Sequence, residues 1–173
     1  MPKASDPPAL AYARKRFANR LPVALLNAFN TNNRINQYLI DSIPPAAWRA
    51  KPPDGKGRTI AAIVAHMHNV RVMWLKVAAK GSQIPRQLDR TKVTPIQALR
   101  AAEHSRLALC VVISGALESD GRVKGFRPDV AGFVVYLVAH DAHHRGQIAM
   151  LARQVGYPLP QKAMFGLWEW GSR

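Results

Sequence analysis

The stretch DVAGFVVYLVAHDAHHRGQIAMLARQVG, residues 129–156, decides the fold. Phe133, Leu137, Ile148, Leu151 and Val155 recur on one stripe at spacings of three and four, the signature of a helix with one buried face. Asp129 is placed to cap its start and Gly156 to stop it. On the same stripe, His140 and His144 stand where hydrophobes are expected. Residues four apart on a helix have Cβ atoms about 5–6 Å apart, a spacing that suits two imidazoles sharing one ion. His143 falls off the stripe and Asp141 is read as facing away, so neither is assigned to a metal.

Working outward, the same period appears three more times. From Ala13 or Leu21 to about Asp41, a stripe of Leu26, Phe29, Asn33, Asn36 and Ile40 predicts a first helix, ended by Pro44 and Pro45. The loop PPAAWRAKPPDGKGR follows. Thr59 then caps a second helix that runs to about Lys80, with Gly81 past its end. Its inward row reads Ile63, His66, Val70, Met73 and Val77. Thr94-Pro95-Ile96-Gln97 opens a third helix with a capping box and a proline at its first position, and this helix reaches about Glu118. Its inward row is Ala98, Ala101, Ser105, Leu109 and Val112. No period-two run is bounded by hairpin turns. The expected architecture is all-α, one four-helix bundle over residues 1–173, with 1–12 a loose proline-bearing arm. The tail 157–173, rich in Phe165, Trp168 and Trp170, is expected to pack back on the bundle.

Helical phase sorts the six histidines. His66, His140 and His144 point inward. His68 lies about 200° around its helix from His66, at ~100° per residue, and is expected at the surface, as is His104. A single histidine on an apolar face is more often a hydrogen-bonded core residue than a ligand. Three of them buried without partners are costly, which favours one divalent ion held by all three. Cys110, in LALCVVI, reads as a small core residue, not a reactive thiol.

Composition restricts the alternatives. Apolar residues make up 48% of 173 residues, a globular content and enough for one core. No apolar run reaches the roughly 18–20 residues of a membrane span. The N-terminus MPKASDPPAL lacks the apolar stretch of a secretory signal, so a cytoplasmic setting is expected. The formal net charge is +15, which raises the question of nucleic acid. The basic residues are scattered, however, with no tract of five and no interleaved aromatics for base stacking. A solvated basic surface without sequence-specific nucleic-acid recognition is the expectation.

HDAHHRGQIAMLARQVGYPLP (140–160), preceded by TIAAIVAHMHNV (59–70), resembles the DinB-like (damage-inducible, YfiT-related) proteins. In those a Thr/Ser-Ile-x5-His helix supplies one metal ligand and a later His-x3-His-Arg-Gly-Gln helix supplies two. The matching positions here are Thr59-Ile60 with His66, and His140 with His144-Arg145-Gly146-Gln147. The resemblance covers nearly the whole chain. It implies an up-down-down-up bundle with a long link between helices two and three, a zinc or nickel ion, and a homodimer. Characterised members include thiol-dependent S-transferases and an isomerase that uses a low-molecular-weight thiol. The closing QKAMFGLWEWG lies outside the general pattern.

Three imidazoles leave an open coordination position, as in catalytic rather than structural zinc. An open position serves to bind a thiolate or to activate water. Gln147 is either an acceptor behind His144 or a helix-packing residue. Asn33 and Asn36 bond either the site or a loop. Tyr136 either brings its hydroxyl to the ion or simply packs. Arg145 either binds a substrate carboxylate or lies on the surface, and Gly146 is read as allowing a close helix contact. No Glu follows His140, so the metalloprotease motif with a built-in base is absent. The functional expectation is a metal-dependent enzyme acting on a small molecule, a thiol transferase first and a hydrolase second. Its rivals are a non-catalytic basic nucleic-acid-binding module and a metal-dependent structural or sensor module.

Overall fold

The computed structural model describes residues 20–79 and 83–172. Its elements are α1 (Leu21–Ser42), a short 3-10 turn (Pro45–Ala47), α2 (Ile60–Ala78), α3 (Pro95–Leu117), α4 (Val130–Gln154) and α5 (Gln161–Gly166). The described residues contain no strand, and the chain is all-α. The expected arm 1–12, a helix start at Ala13, and the stop at Gly81 lie outside them.

The start signals work as their chemistry requires. The Thr59 side chain accepts from Ala62 N–H, and Asp129 accepts from Gly132 N–H. Thr94 accepts from Gln97 N–H while the Gln97 side chain accepts from Thr94 N–H, closing the capping box. At the end of α4, Gly156 adopts φ +83°, and Tyr157 N–H reaches back to Ala152 O at 2.9 Å. That is the left-handed glycine stop, which a side chain would strain.

Two apolar clusters fix the helix directions. One contains Leu39 and Ile40 late in α1, Ile60 and Val64 early in α2, Ala98 early in α3, and Ile148 and Leu151 late in α4. The other contains Phe29 early in α1, Leu75 late in α2, Leu109 and Ile113 late in α3, and Phe133 and Leu137 early in α4. Helices α1 and α4 therefore run one way and α2 and α3 the other, an up-down-down-up bundle. Because α2 and α3 are parallel, the chain between them must return along the bundle. That link is strapped down: His68 Nε2 donates to Arg86 O at 2.9 Å, and Asn69 exchanges two hydrogen bonds with the Leu88 backbone at 2.8 and 3.0 Å. Trp48 Nε1 and Arg49 secure its far end through Val93 O.

The phase expected for α2 is corrected. Its core-facing residues include Ile60, Val64, Met67, His68, Arg71 and Leu75, while Met73 and Val77 are exposed. Helix α2 packs between α3 and α4 and so buries two flanks, and a single stripe misplaces its residues. His68 is accordingly buried, not superficial, with Nδ1 3.3 Å from Ser105 Oγ. In α3, Ala102 and Ile113 take the buried places expected for Ala101 and Val112.

The tail docks on α1 through small residues. Ala163 and Gly166 are buried, and Tyr38 Oη donates to Lys162 O at 3.3 Å. A Cβ at Gly166 would overlap the Tyr38 ring, so the approach demands glycine. Phe165 and Trp168 do not share this burial, being 64% and 80% exposed. No described helix is long and apolar enough to cross a membrane. Cys110 is half-buried, its thiol donates to Asn30 Oδ1 at 3.3 Å, and burial pushes its pKa up, which suits an inert thiol.

Candidate metal centre

Between the two apolar clusters the bundle is polar. Asn32, Asn33, Asn36, His68, Arg71, Ser105, Asp141 and His144 are all buried there. At one flank, where α2 meets α4, His66, His140 and His144 converge, with ligand nitrogens all within 4.8 Å of one another. The His66 ring centroid lies 5.4 Å from that of His140 and 4.8 Å from that of His144. Position 66 reaches the cluster because α2 turns one flank to α4, and positions 140 and 144 because α4 stacks residues four apart.

Hydrogen bonding sets the tautomer of His144. His144 Nδ1 donates to Gln147 Oε1 at 2.8 Å, while Gln147 Nε2 donates to His143 Nε2 at 2.9 Å. His140 Nδ1 faces Asp141 Oδ1 at 3.8 Å. With its hydrogen on Nδ1, neutral His144 presents a bare lone pair at Nε2. The Nε2 atoms of His140 and His144 face each other at 3.2 Å. Facing lone pairs repel unless a cation or proton lies between them. Two nitrogens at the usual 2.0–2.1 Å from one tetrahedral ion are roughly 3.3–3.4 Å apart, so the observed spacing fits a shared ion. Together the three imidazoles form a site able to hold one metal ion.

The electrostatics favour a neutral imidazole at His66 and at His144. His66 is pushed down to about 4 from the ordinary 6.5, first by burial and then by the charge of Arg58, with the other two histidines and Arg90 adding to it. His144 is also lowered, chiefly by burial, against the raising effect of its bond to Gln147.

Asp141 corrects the sequence reading most sharply. Far from facing away, it is buried, and its Oδ2 accepts from Asn32 Nδ2 at 2.7 Å, Asn36 Nδ2 at 2.8 Å and Arg71 Nη2 at 2.8 Å. Burial raises its pKa, but the Arg71 charge and these donors outweigh that and hold it well below the usual carboxylate range. Arg71 also donates to Asn33 Oδ1 at 2.7 Å. Arg145 turns inward rather than lying on the surface, its Nη1 donating to Asn32 Oδ1 at 2.7 Å and Asn36 Oδ1 at 2.6 Å. Of the polar residues expected near the site, Gln147 thus contacts a metal-site imidazole. Asn36 reaches it only through Asp141, and Asn33 only through Arg71.

Tyr136 stacks its ring on that of His140 at 6.2 Å and 29°, within an aromatic cluster with Trp74, Phe126 and Phe133. Its contact with the site is through the ring face. His104 and His143 are exposed, as expected. Gly146 makes no close helix contact, since a Cβ there would meet no atom within 4 Å. A sequence model of the DinB family matches residues 15–170. The chain belongs to the DinB family. Neither a curated protein nor a solved structure matches it. In this DinB-family bundle the residues that single-stripe reasoning missed are Asp141, Arg71 and Asn32. A signal existed: an arginine and an aspartate sit in otherwise apolar helices, and Asn32 and Asn36 are one turn apart.

Proposed function

We propose that this DinB-family chain is a metal-dependent enzyme that transfers a small thiol to an electrophile. The observation that carries the reading is the convergence of His66, His140 and His144, with the Nε2 atoms of the last two facing each other and no fourth ligand in the cluster among the described residues. Those three residues hold the ion, zinc or nickel. Bound there, a divalent ion supplies an open Lewis-acidic position that lowers the pKa of a thiol or water. Gln147 and Asp141 orient the imidazoles from behind, the usual role of acceptors to ligating histidines. Arg58 and Arg90, near enough to lower the His66 pKa, give the mouth of the site a positive potential that attracts anionic reactants. Tyr136 closes one side with its ring. In the net reaction the thiol releases its proton, sulfur bonds to the electrophilic carbon, and the leaving group departs as an anion.

The test is an assay of metal-loaded protein with a panel of thiols and a chlorinated aromatic acceptor, run beside activated esters and amides. The expected result is thioether formation that disappears in His140→Ala and after chelation. Turnover of the esters alone would favour hydrolysis, and no metal-dependent turnover would favour a structural or sensor role. We further propose a homodimer, supported by the exposure of Phe165, Val135 and Met150 at 64%, 64% and 57%. A light-scattering mass equal to the 19.1 kDa monomer at micromolar concentration would contradict it.

A further inference from the structure

A cleft of about 320 Å³ opens between α4 and the tail, and it is separate from the metal centre. Ala142 and Gly146 form its α4 wall, and Met164, Leu167, Trp168 and Trp170 form the tail wall. Ala142 and Gly146 each lie two residues from His144, so they face about 200° around the helix from it at ~100° per residue. The volume is that of a small-ligand pocket, whose usual range is about 300–1,000 Å³. The lining is apolar and aromatic apart from one charged residue, Arg145.

Arg145 is the feature that points to a ligand. It is half-buried, and the acceptors of its Nη1 are two neutral amide oxygens, those of Asn32 and Asn36. Among the described residues no carboxylate stands within ion-pair distance of it, and no hydrogen bond engages its Nε or Nη2. The nearby Asp141 spends its Oδ2 on Arg71, Asn32 and Asn36. A guanidinium with free donors at an apolar pocket matches a planar anion.

We propose that the cleft binds a small organic acid, with its carboxylate on Arg145 and an aromatic or branched aliphatic body against Met164, Trp168 and Trp170. A single cation in an apolar setting suits one negative charge better than a phosphate. A second copy of this chain, at net charge +15, is a poor source of that charge. Gly146 keeps the wall open, because a side chain there would enter free space.

Calorimetric titration of the full-length protein with 3-phenylpropanoate and its amide, 3-phenylpropanamide, tests this. The acid binds once per chain, and the amide about tenfold or more weakly, the difference expected for a charge-assisted hydrogen bond. Gly146→Leu abolishes acid binding while its melting temperature and metal content stay at the wild-type values. Arg145→Gln brings the acid down to the affinity of the amide. Should Arg145→Gln fail to fold, the Gly146→Leu comparison still decides. Equal affinity for acid and amide, or acid binding that survives Gly146→Leu, would overturn the proposal. So would a wild-type dimer that Gly146→Leu converts to monomer without any acid binding, since a second copy would then fill the cleft. Metal content, measured in every sample, separates failure of this site from failure of the metal reading.

Discussion

Asp141 Oδ2 and Arg71 Nη2 meet at 2.8 Å in the middle of the bundle, with side chains only 2% and 4% exposed. Helices α2 and α4 are thereby joined next to the histidines that they contribute to the three-histidine cluster. Removing one member of such a pair strands the other charge in a poorly solvated interior, at a cost of about 3–5 kcal/mol. Asp141→Ala and Arg71→Ala should each lose stability on that scale in urea unfolding. The double variant Arg71→Ala/Asp141→Ala should lose less than the sum of the two, because no lone charge remains. Additive losses would mean that the pair is not coupled.

Sequence periodicity finds one buried stripe of a helix and misses residues buried on a second flank. The α4 stripe placed Phe133, Leu137, His144, Ile148 and Leu151 correctly, while Val134, Asp141 and Ala152 are buried off that stripe. In α2 the row through Met73 and Val77 pointed to solvent, since α3 and α4 cover different flanks. Asp141 and His68 eluded the same logic for a common reason. Each is polar and off the assumed stripe, yet each is buried by partners from elements distant in sequence, Arg71 and Arg86. The three-histidine cluster was legible because histidines are rare and four-residue spacing is unmistakable. The polar belt behind it was not, because its bonds span separations that no local pattern records.

Proton uptake should destabilise the metal-free protein. The fold lowers the pKa of His66 to about 4 and also lowers those of His68 and His144. A histidine held neutral by the fold takes up its proton at lower pH than it does in the unfolded chain. Unfolding therefore absorbs protons below about pH 6.5, and stability falls as pH drops from there towards 4. Urea midpoints measured from pH 8 to pH 4 should be flat at first and then decline. His66→Gln should flatten part of the slope. A midpoint that rises on acidification would contradict the assigned neutral rings.

The basic surface should act only as a diffuse charge. Retention on DNA is expected to be independent of sequence and to fade steeply between about 50 and 200 mM salt. A footprint on one sequence that survives the higher salt would favour the nucleic-acid reading instead.

The strap on the link can be cut selectively. His68 Nε2–H donates to Arg86 O, so His68→Ala frees the chain ahead of Leu88 and leaves one buried bond unmade, about 1–3 kcal/mol. Hydrogen exchange in residues 83–93 should speed up more than exchange in α4. Equal acceleration in both would show a global rather than local opening.

Elemental analysis of the purified protein beside single histidine variants tests the central claim most directly. About one equivalent of zinc or nickel should be found per chain. It should collapse in His66→Ala, His140→Ala and His144→Ala and persist in His104→Ala and His143→Ala, whose side chains are exposed and lie outside the cluster. Binding should also weaken on acidification towards about pH 4, where the His66 imidazole takes up a proton. Wild-type protein that takes up no divalent metal, or equal loss of metal in all five variants, would contradict the three-histidine centre.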